Sequence, residues 1–313
     1  HKEYRRQRQM CIRDRYYNKY SVDLLAAING SPTQGFGYTT LMTNNGKMVN
    51  RGVEITLSGE IIRQKDFSWN ASLLYAFNRN KVKHISVQPS LWDSRISMPT
   101  SYPMVGKPLY GIYAYKWAGL NENGDPQVYD AENNVTSGPA RDYHALVYCG
   151  TTVPIHNASL TNVLRYKGFE FSAMLILDAG HKLRSSNIPS INMSNGRITS
   201  TAKGIVDRWT QPGDVTDVPR LLFSNDTENF NTHRTELYRY SDLFVYDASN
   251  IRLSNISLAY RVPAHWCKKI SLSGARLQFN VENVATFAFD SKANYDLGGK
   301  VKPNYVWGLY LNF

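Results

Sequence analysis

The chain has 313 residues, of which 42% are hydrophobic and 12% aromatic, and its 21 tyrosines favour β structure. No stretch approaches the ~18 consecutive apolar residues that a membrane-spanning helix requires. We assign no nucleic-acid partner to the net charge of +11, because residues 1–15 alone supply +4 of it through six Lys or Arg and two acidic residues. The three cysteines lack the spacing of a zinc site and are too few for a disulfide scaffold.

The first segment in chain order, residues 1–15, is set aside from the fold. Residues 9–15 resemble the translation of a transposon-end adapter used in sequencing libraries, and a disordered basic tail is the alternative. The chain starts at His1 with neither Met nor a signal peptide, so we expect a truncated reading frame. We therefore expect a non-native or disordered segment over residues 1–15 and a β domain over residues 16–313.

Alternation of apolar and polar residues predicts the strands that follow. It is clearest over residues 53–61, 67–77, 169–177 and 275–281, and weaker over residues 158–166 and 256–262. Most of these runs have the ~9–11 residues of a tilted transmembrane strand, whereas strands of soluble sandwiches usually have ~5–6. Because apolar and polar residues alternate in barrel strands, the hydropathy averaged along such a strand is low. The chain's mean hydropathy of −0.42 is therefore compatible with membrane strands.

The predicted strands are joined by short and by long connections. Short links join residue 61 to 67 and residue 166 to 169, and a medium link covers residues 263–274. Long links cover roughly residues 79–155, 180–249 and 285–303. Transmembrane barrels have short periplasmic turns and long extracellular loops. If the short links are the periplasmic turns, the strand directions alternate along the chain. The last strand then runs towards the periplasmic face.

The last strand, residues 305–313, has an apolar face that ends in an aromatic residue and resembles an outer-membrane assembly signal. The residues of this predicted signal are Trp307, Leu309, Leu311 and Phe313. The sequence thus predicts an all-β fold, the C-terminal arc of a large transmembrane β-barrel, with about 8 to 10 antiparallel strands and long extracellular loops. The alternative is a secreted or surface β-sandwich that binds glycans without transporting them.

Four blocks of sequence resemble the SusC/RagA family of TonB-dependent outer-membrane receptors of the Bacteroidota. They are residues 45–54, the strand that ends with residues 78–82, residues 106–119, and residues 251–263, which match an R-L-x-N-I-x-L-x-Y-x-x-P strand. Two departures are visible: Asn45 directly precedes Gly46, and the family's Gly-Leu-Asp-Pro-Glu element is not recognisable around residues 289–295.

The resemblance implies a function and a set of partners. It implies import of glycans or oligopeptides across the outer membrane, with a SusD-like surface lipoprotein as a lid and the TonB–ExbB–ExbD complex as the energy source. It also implies a barrel in contact with outer-membrane lipid. The plug domain and TonB box of the family would lie upstream and are absent from this sequence, so we expect the TonB contact to be made by that missing region.

Two groups of residues are candidates for contact with a substrate or a plug. Polar positions of the alternating strands would face the barrel lumen, where they would hydrogen-bond to a plug or line the path of a substrate: Glu54, Thr56, Ser58, Glu60, Arg276, Gln278 and Glu282. Aromatic residues in the long connections would stack on sugars or form an interfacial girdle. The candidate ligand-binding residues are Trp92, Tyr110, Tyr113, Tyr115, Trp117 and Trp209.

No motif in the sequence indicates catalysis or a cofactor. Residues 121–125 offer oxygen ligands around a glycine, but an Asn-Gly turn explains them more simply than calcium does. The histidines lack metal-ligand spacing, and the chain contains no G-x-S-x-G, P-loop or dinucleotide-binding motif. We therefore predict a protein that is not an enzyme and has no metal or cofactor.

Overall fold

The computed structural model describes residues 10–29, 40–86, 94–138, 142–193, 201–223, 232–269, 271–298 and 302–313. The strands of these residues are, in chain order, β1 (Met10–Asn29), β2 (Thr40–Arg63), β3 (Phe67–His84), β4 (Gly111–Tyr115), β5 (Trp117–Leu120), β6 (Pro126–Tyr129), β7 (Val135–Thr136), β8 (Leu146–Thr151), β9 (His156–Tyr166), β10 (Phe169–Ala179), β11 (Lys182–Arg184), β12 (Asn192–Met193), β13 (Leu222–Phe223), β14 (Val245–Asp247), β15 (Asn250–Arg261), β16 (Gly274–Ala288) and β17 (Asn304–Asn312). The α-helices are α1 (Ser94–Ser97), α2 (Thr232–Arg239), α3 (Ala264–Lys268) and α4 (Asn294–Leu297).

Eight of these strands form one antiparallel sheet in the order β1-β2-β3-β9-β10-β15-β16-β17. The predicted arc of about 8 to 10 antiparallel strands is confirmed. Within the described residues the sheet does not close on itself, and β1 and β17 are its edges. Several strands are longer than predicted, with 24 residues in β2 and 15 in β16, because they continue beyond the regularly alternating part of the sequence.

The two ends of the sheet differ in their connections. Gln64–Asp66 join β2 to β3, Lys167 and Gly168 join β9 to β10, and a link that contains α3 joins β15 to β16. All three lie at one end of the sheet, called here the turn end. The long connections that follow β3, β10 and β16 leave from the opposite end, called the loop end. This is the separation of short and long connections that the sequence predicted.

The sheet has an apolar side and a polar side. Cross-strand partners lie on the same side of a sheet, and one row of direct partners runs Leu57, Leu73, Leu160, Leu175, Leu253. A neighbouring row on the other side runs Glu60, Asn70, Val163, Ser172, Ser257, Asn280. The apolar side does not pack on a second sheet among the described residues, and Leu175 is 37% exposed. The β-sandwich alternative is therefore not supported.

The long connections pack together at the loop end and are called here the loop assembly: the described residues of 94–155, 180–249 and 289–298. One core cluster joins β4, β6 and β8 to α2 through Tyr113, Tyr115, Val128, Ala145, Leu146 and Leu237. A second cluster contains Ile191, Tyr238 and Phe244. Short strands and helices replace the long predicted loops, because elements of two to eight residues are too short to show a clear period in sequence.

Residues 10–15, which were set aside in the sequence, belong to β1. Their cross-strand partners run from Gly59, opposite Met10, to Glu54, opposite Arg15. That residues 1–15 are non-native or disordered stays a prediction. None of the described helices is long and apolar enough to cross a membrane.

Candidate functional site

The predicted lumen-facing residues all lie on the polar side of the sheet. Ser58 and Glu282 come from strands far apart in sequence, yet one row of cross-strand partners connects them through Ser72, Thr161, Met174 and Asn255. Glu54, Thr56 and Glu60 alternate with Ser58 on β2, and Gln278 shares the side of Glu282 on β16. The predicted polar residues of β2 and those of β16 thus lie on one surface.

Ion pairs cross the polar side between strands. The Glu170 carboxylate accepts hydrogen bonds from Arg165 Nε at 2.7 Å and from Arg276 Nη2 at 3.3 Å, which joins β9, β10 and β16 near the turn end. Nearer the loop end, Asp178 accepts from Asn157 at 2.7 Å and from Arg252 at 2.9 Å. This side carries charged groups of both signs near both ends of the sheet.

An open depression of about 760 Å³ lies on the polar side near the turn end. Residues of β2, β3 and β9 line it, among them Ser58, Glu60, Asn70 and Thr161. Hydroxyl, amide and charged groups face the space together, so this part of the surface is suited to polar contacts. The sequence prediction had identified its β2 members but not those of β3 and β9.

Two of the predicted ligand-binding aromatics are in the core of the loop assembly. Tyr113 is 1% exposed and Tyr115 is 0% exposed. The Tyr113 hydroxyl accepts a hydrogen bond from the Met104 amide at 3.1 Å, and burial raises the pKa of Tyr113. Neither ring is accessible to a ligand in this structure, because β4 is covered by β8 and α2. These two tyrosines are packing residues here.

The other predicted aromatics are more accessible, with one outside the described residues. Tyr110 is exposed at the start of β4. Trp117 is half-buried; its ring nitrogen donates to Asp217 at 2.9 Å, and its amide donates to Asp242 at 3.0 Å. The half-buried Trp209 ring lies against Gly124, where the positive φ of 75° also favours glycine. Trp92 lies outside the described residues.

The Asn121–Asp125 segment is a turn held by its own side chain and by two arginines. Asn121 Oδ1 accepts from the amides of Asn123 and Asp125 at 3.0 and 2.8 Å. The Asp125 carboxylate binds Arg220 at 2.8 Å and Arg234 at 3.1 Å. Among the described residues, no His, Cys, Asp and Glu side chains form a group of three suited to a metal.

The Asp125 ion pairs were missed in the sequence because the partners are 95 and 109 residues apart. The Arg234 side chain is only 3% exposed and also donates to the carbonyls of Ile191 and Arg220. Desolvation by burial lowers the pKa of Arg234, and the Asp125 charge acts against that shift. This cluster fixes the position of the turn beside Trp209.

The predicted assembly residues lie on the last edge strand, β17. Trp307 pairs with Phe279 and Leu309 with Leu277, so they continue the apolar side of the sheet. All four are exposed, with Trp307 78% and Phe313 93% exposed. Their role in assembly stays a prediction.

Comparisons with known proteins identify relatives of the same kind. The chain is 24% identical over 294 residues to TonB-dependent receptor P3 of Formosa agariphila, covering 87% of the chain and 28% of that receptor. It is 23% identical over 284 residues to TonB-dependent receptor SusC of Bacteroides thetaiotaomicron, covering 86% of the chain and 26% of SusC. No family model matches the chain.

A solved structure shares the fold. A chain of the RagAB peptide transporter superposes with a TM-score of 0.71 and 22% identity, over 97% of this chain and 33% of that one. The chain thus spans about a quarter to a third of the length of the proteins that it matches. The relatives are TonB-dependent receptors, SusC among them, and this confirms the resemblance to SusC/RagA receptors carried by the four sequence blocks. The RagAB structure confirms the fold.

Proposed function

We propose that the chain is part of an outer-membrane TonB-dependent active transporter that imports glycans or oligopeptides together with a SusD-like lipoprotein. The observation that carries the proposal is the sheet with one apolar and one polar side. A sheet in water normally covers its apolar side with a second layer. Here that side carries leucines and aromatics in register and is left uncovered by the described residues. Lipid is the cover that we propose.

The height of the apolar side fits a bilayer. On β3 the apolar side runs from Phe67 to Phe77, ten residue steps, and Arg79 follows it. At ~3.4 Å per residue this stretch is about 34 Å long, and with a strand tilt of ~40° its height is about 26 Å. The outward apolar band of an outer-membrane barrel is about 25 Å tall. The agreement supports a membrane-spanning sheet.

We propose that the polar side faces the lumen of the complete barrel. The seven residues Glu54, Thr56, Ser58, Glu60, Arg276, Gln278 and Glu282 would contact the plug domain or a passing substrate there. Hydrogen bonds to a plug need donors and acceptors that are not already satisfied within the sheet. Ser58 and Glu60 line the open depression near the turn end. One carboxylate oxygen of Glu60 accepts from Arg63 at 3.3 Å, which leaves the other for a donor of the plug.

The substrate class is proposed as a glycan or an oligopeptide. RagAB is a peptide transporter, and the similarity to it supports the fold rather than its cargo. In the loop assembly, Tyr110, Trp117 and Trp209 present partly accessible rings, and aromatic faces suit the apolar faces of sugars. We propose contacts with substrate or lipoprotein for these three. Energy coupling would pass through TonB–ExbB–ExbD and the upstream region, and we propose no enzymatic activity.

The test uses the complete receptor in its native host. Deletion of the gene should abolish growth on one glycan or peptide source, and the wild-type gene should restore it only when TonB is functional. The receptor should fractionate with outer-membrane proteins and resist extraction by salt. Recovery of the receptor as a soluble or peripherally attached protein would overturn the membrane assignment. Uptake that persists without TonB would overturn the transport mechanism.

A paired substitution tests the aromatic contacts. Tyr110→Ala should weaken uptake, because an accessible ring is removed. Tyr113→Phe should leave uptake unchanged at a temperature where the loop assembly is folded, because that ring is buried. Equal uptake by wild type and Tyr110→Ala would remove Tyr110 from the site.

A further inference from the structure

The apolar side of β3 becomes basic at the loop end. Its outward positions read Tyr75, Phe77, Arg79 and Lys81, so two aromatic residues are followed at once by two cations. Arg51 of β2 is the direct cross-strand partner of Arg79 and adds a third. Arg51, Arg79 and Lys81 are all exposed. The step from aromatic to basic falls where the apolar band ends.

A cavity of about 380 Å³ lies at this step, where β3 meets the loop assembly. Phe77, Arg79, Lys107, Tyr148 and His156 are among its lining residues. The Lys107 ammonium lies 4.9 Å from the centre of the Tyr148 ring, and Arg79 lines the same cavity. Two cations and two aromatic side chains therefore share one space.

The backbone holds the Lys107 side of the cavity against β3. The Val82 amide donates to the Lys107 carbonyl at 2.9 Å, and the Gly106 amide donates to the Val82 carbonyl at 2.8 Å. The Asn80 side chain accepts from the Leu109 amide at 2.8 Å. Because these bonds connect the loop to a strand of the main sheet, the cavity is preformed.

The cavity has basic side chains on one wall and aromatic rings on another. None of the described residues that line it is Asp or Glu, and across the described residues neither Arg79 nor Lys107 forms an ion pair. Toward the apolar band, the Phe77 and His156 rings lie 5.3 Å apart, and the Tyr75 hydroxyl bonds His156 Nδ1 at 2.8 Å. A ligand with an anionic head and an apolar body fits both walls.

We propose that this cavity binds the phosphate of an anionic lipid in the leaflet at the loop end, with Arg79 and Lys107 donating to phosphate oxygens. The lipid's acyl chains lie along the Tyr75–Phe77 side of β3. Basic side chains at headgroup depth attract anionic lipid, and charge-assisted bonds to phosphate are strong. The proposal rests on the membrane-spanning sheet of the proposed function. Free phosphate shares the headgroup chemistry but makes no use of the aromatic wall.

The experiment compares lipids bound to the complete receptor in phosphatidylcholine nanodiscs. One set contains bisphosphorylated lipid A, a second contains its dephosphorylated form, and a third contains no lipid A but inorganic phosphate in the buffer. Native mass spectrometry counts the lipid A or the phosphate that the receptor retains in each set. Wild type should retain the phosphorylated lipid, and Arg79→Gln with Lys107→Gln should retain it about tenfold less, as expected for the loss of charge-assisted bonds.

Matched variants separate the site from net charge and from misfolding. Lys203→Gln with Arg208→Gln removes two exposed charges from the loop assembly and should leave retention unchanged. Arg79→Lys with Lys107→Arg should restore most of the retention. Each variant is first checked for a folded barrel by its resistance to unfolding in detergent at room temperature.

The outcomes are distinguishable from those of the proposed function. Equal retention by wild type and the double Gln variant, in folded receptor, overturns the lipid site while leaving the membrane sheet intact. Equal retention of both forms of lipid A overturns phosphate recognition. Retention of inorganic phosphate in the third set to the same extent as phosphorylated lipid A in the first overturns the lipid as ligand. A receptor that does not insert into nanodiscs overturns the proposed function itself.

Discussion

The eight-stranded sheet and the loop assembly are built for different surroundings. Nearly all of the large buried side chains lie in the loop assembly, including Tyr113, Tyr115 and Tyr238, whereas the sheet exposes residues such as Phe171 and Leu258 on its apolar side. The loop assembly has its own hydrophobic core, as a water-soluble domain has. The sheet leaves its apolar side uncovered among the described residues, which is the side that we propose lipid covers. Four changes test this difference, from the largest expected effect to the smallest.

Asp125→Ala should have the largest effect, in the loop assembly. It removes the carboxylate from Arg220 and from Arg234, whose side chain is nearly fully buried. Breaking a buried ion pair by removing one partner costs about 3–5 kcal/mol. Hydrogen exchange of β4, β6 and α2 in the complete receptor measures the loss. Glu122→Ala, an exposed residue of the same turn, is the control. Equal protection in both variants would show that the cluster does not stabilise the assembly.

Leu160→Arg should have the next largest effect, in the sheet. Leu160 lies mid-strand on the apolar side, and its neighbour Thr161 lies on the polar side. An Arg at the lipid-facing midplane of a barrel costs about 2–4 kcal/mol. Urea titration of receptor refolded into lipid vesicles measures the change. Thr161→Arg is the matched control and should be tolerated better, because it lies on the polar side, which we propose faces the lumen. Equal cost for the two would contradict the assignment of sides.

Tyr113→Phe should have a smaller effect, again in the loop assembly. It removes the acceptor of the Met104 amide and leaves that partly buried donor unpaired, which costs about 1 kcal/mol. Thermal unfolding followed by tryptophan fluorescence measures it. The exposed Tyr110→Phe changes no described hydrogen bond of the hydroxyl and should have no effect. A stability equal to that of wild type would show that Met104 finds another acceptor.

The smallest expected effect is a dependence on pH from His181, which follows β10. His181 is buried, and its Nδ1 has no hydrogen-bond partner among the described residues. Burial lowers the pKa of His181, and the charges of Asp178 and Asp247 offset only part of that shift. The unfolded state therefore binds more protons near its ordinary pKa. The contribution of His181 is fully present above pH ~6.5 and is lost as the pH falls through the folded-state pKa.

The measurement for His181 is the unfolding temperature of the complete receptor as the pH is lowered from neutral. The decline should be smaller in His181→Gln, which cannot take up a proton. His144→Gln, at an exposed position, is the control. The same decline in all three proteins would assign the pH dependence to other groups.

The main sheet was predictable from sequence because its strands are regular. Residues 169–173 alternate strictly, the odd positions stay apolar through Leu177, and the whole run lies within β10. The turn at Lys167 and Gly168 was visible for the same reason, since it separates two alternating runs. The continuation of β16 to Ala288 was not visible, because the strand shifts register near Asn283, where φ is 54°. A bulge reverses the alternation, and the pattern is lost.

The candidate site was predictable only where all of its residues lie on one strand. Glu54, Thr56 and Ser58 share a side because they alternate on β2, and sequence suffices for that. Tyr113 and Tyr110 were placed together as loop aromatics, although one is buried and the other exposed. Their difference depends on β8 and α2, which come later in the chain and cover one ring but not the other.

Periodicity in the sequence by itself determined most strands of the main sheet, its two sides and the separation of short from long connections. The reason is that side-chain direction alternates locally along a strand and needs no distant partner. Tertiary structure alone decided the core of the loop assembly, the Asp125 ion pairs and the basic cavity of Arg79 and Lys107. Each of these depends on which distant segments meet, and that follows from packing rather than from any local pattern.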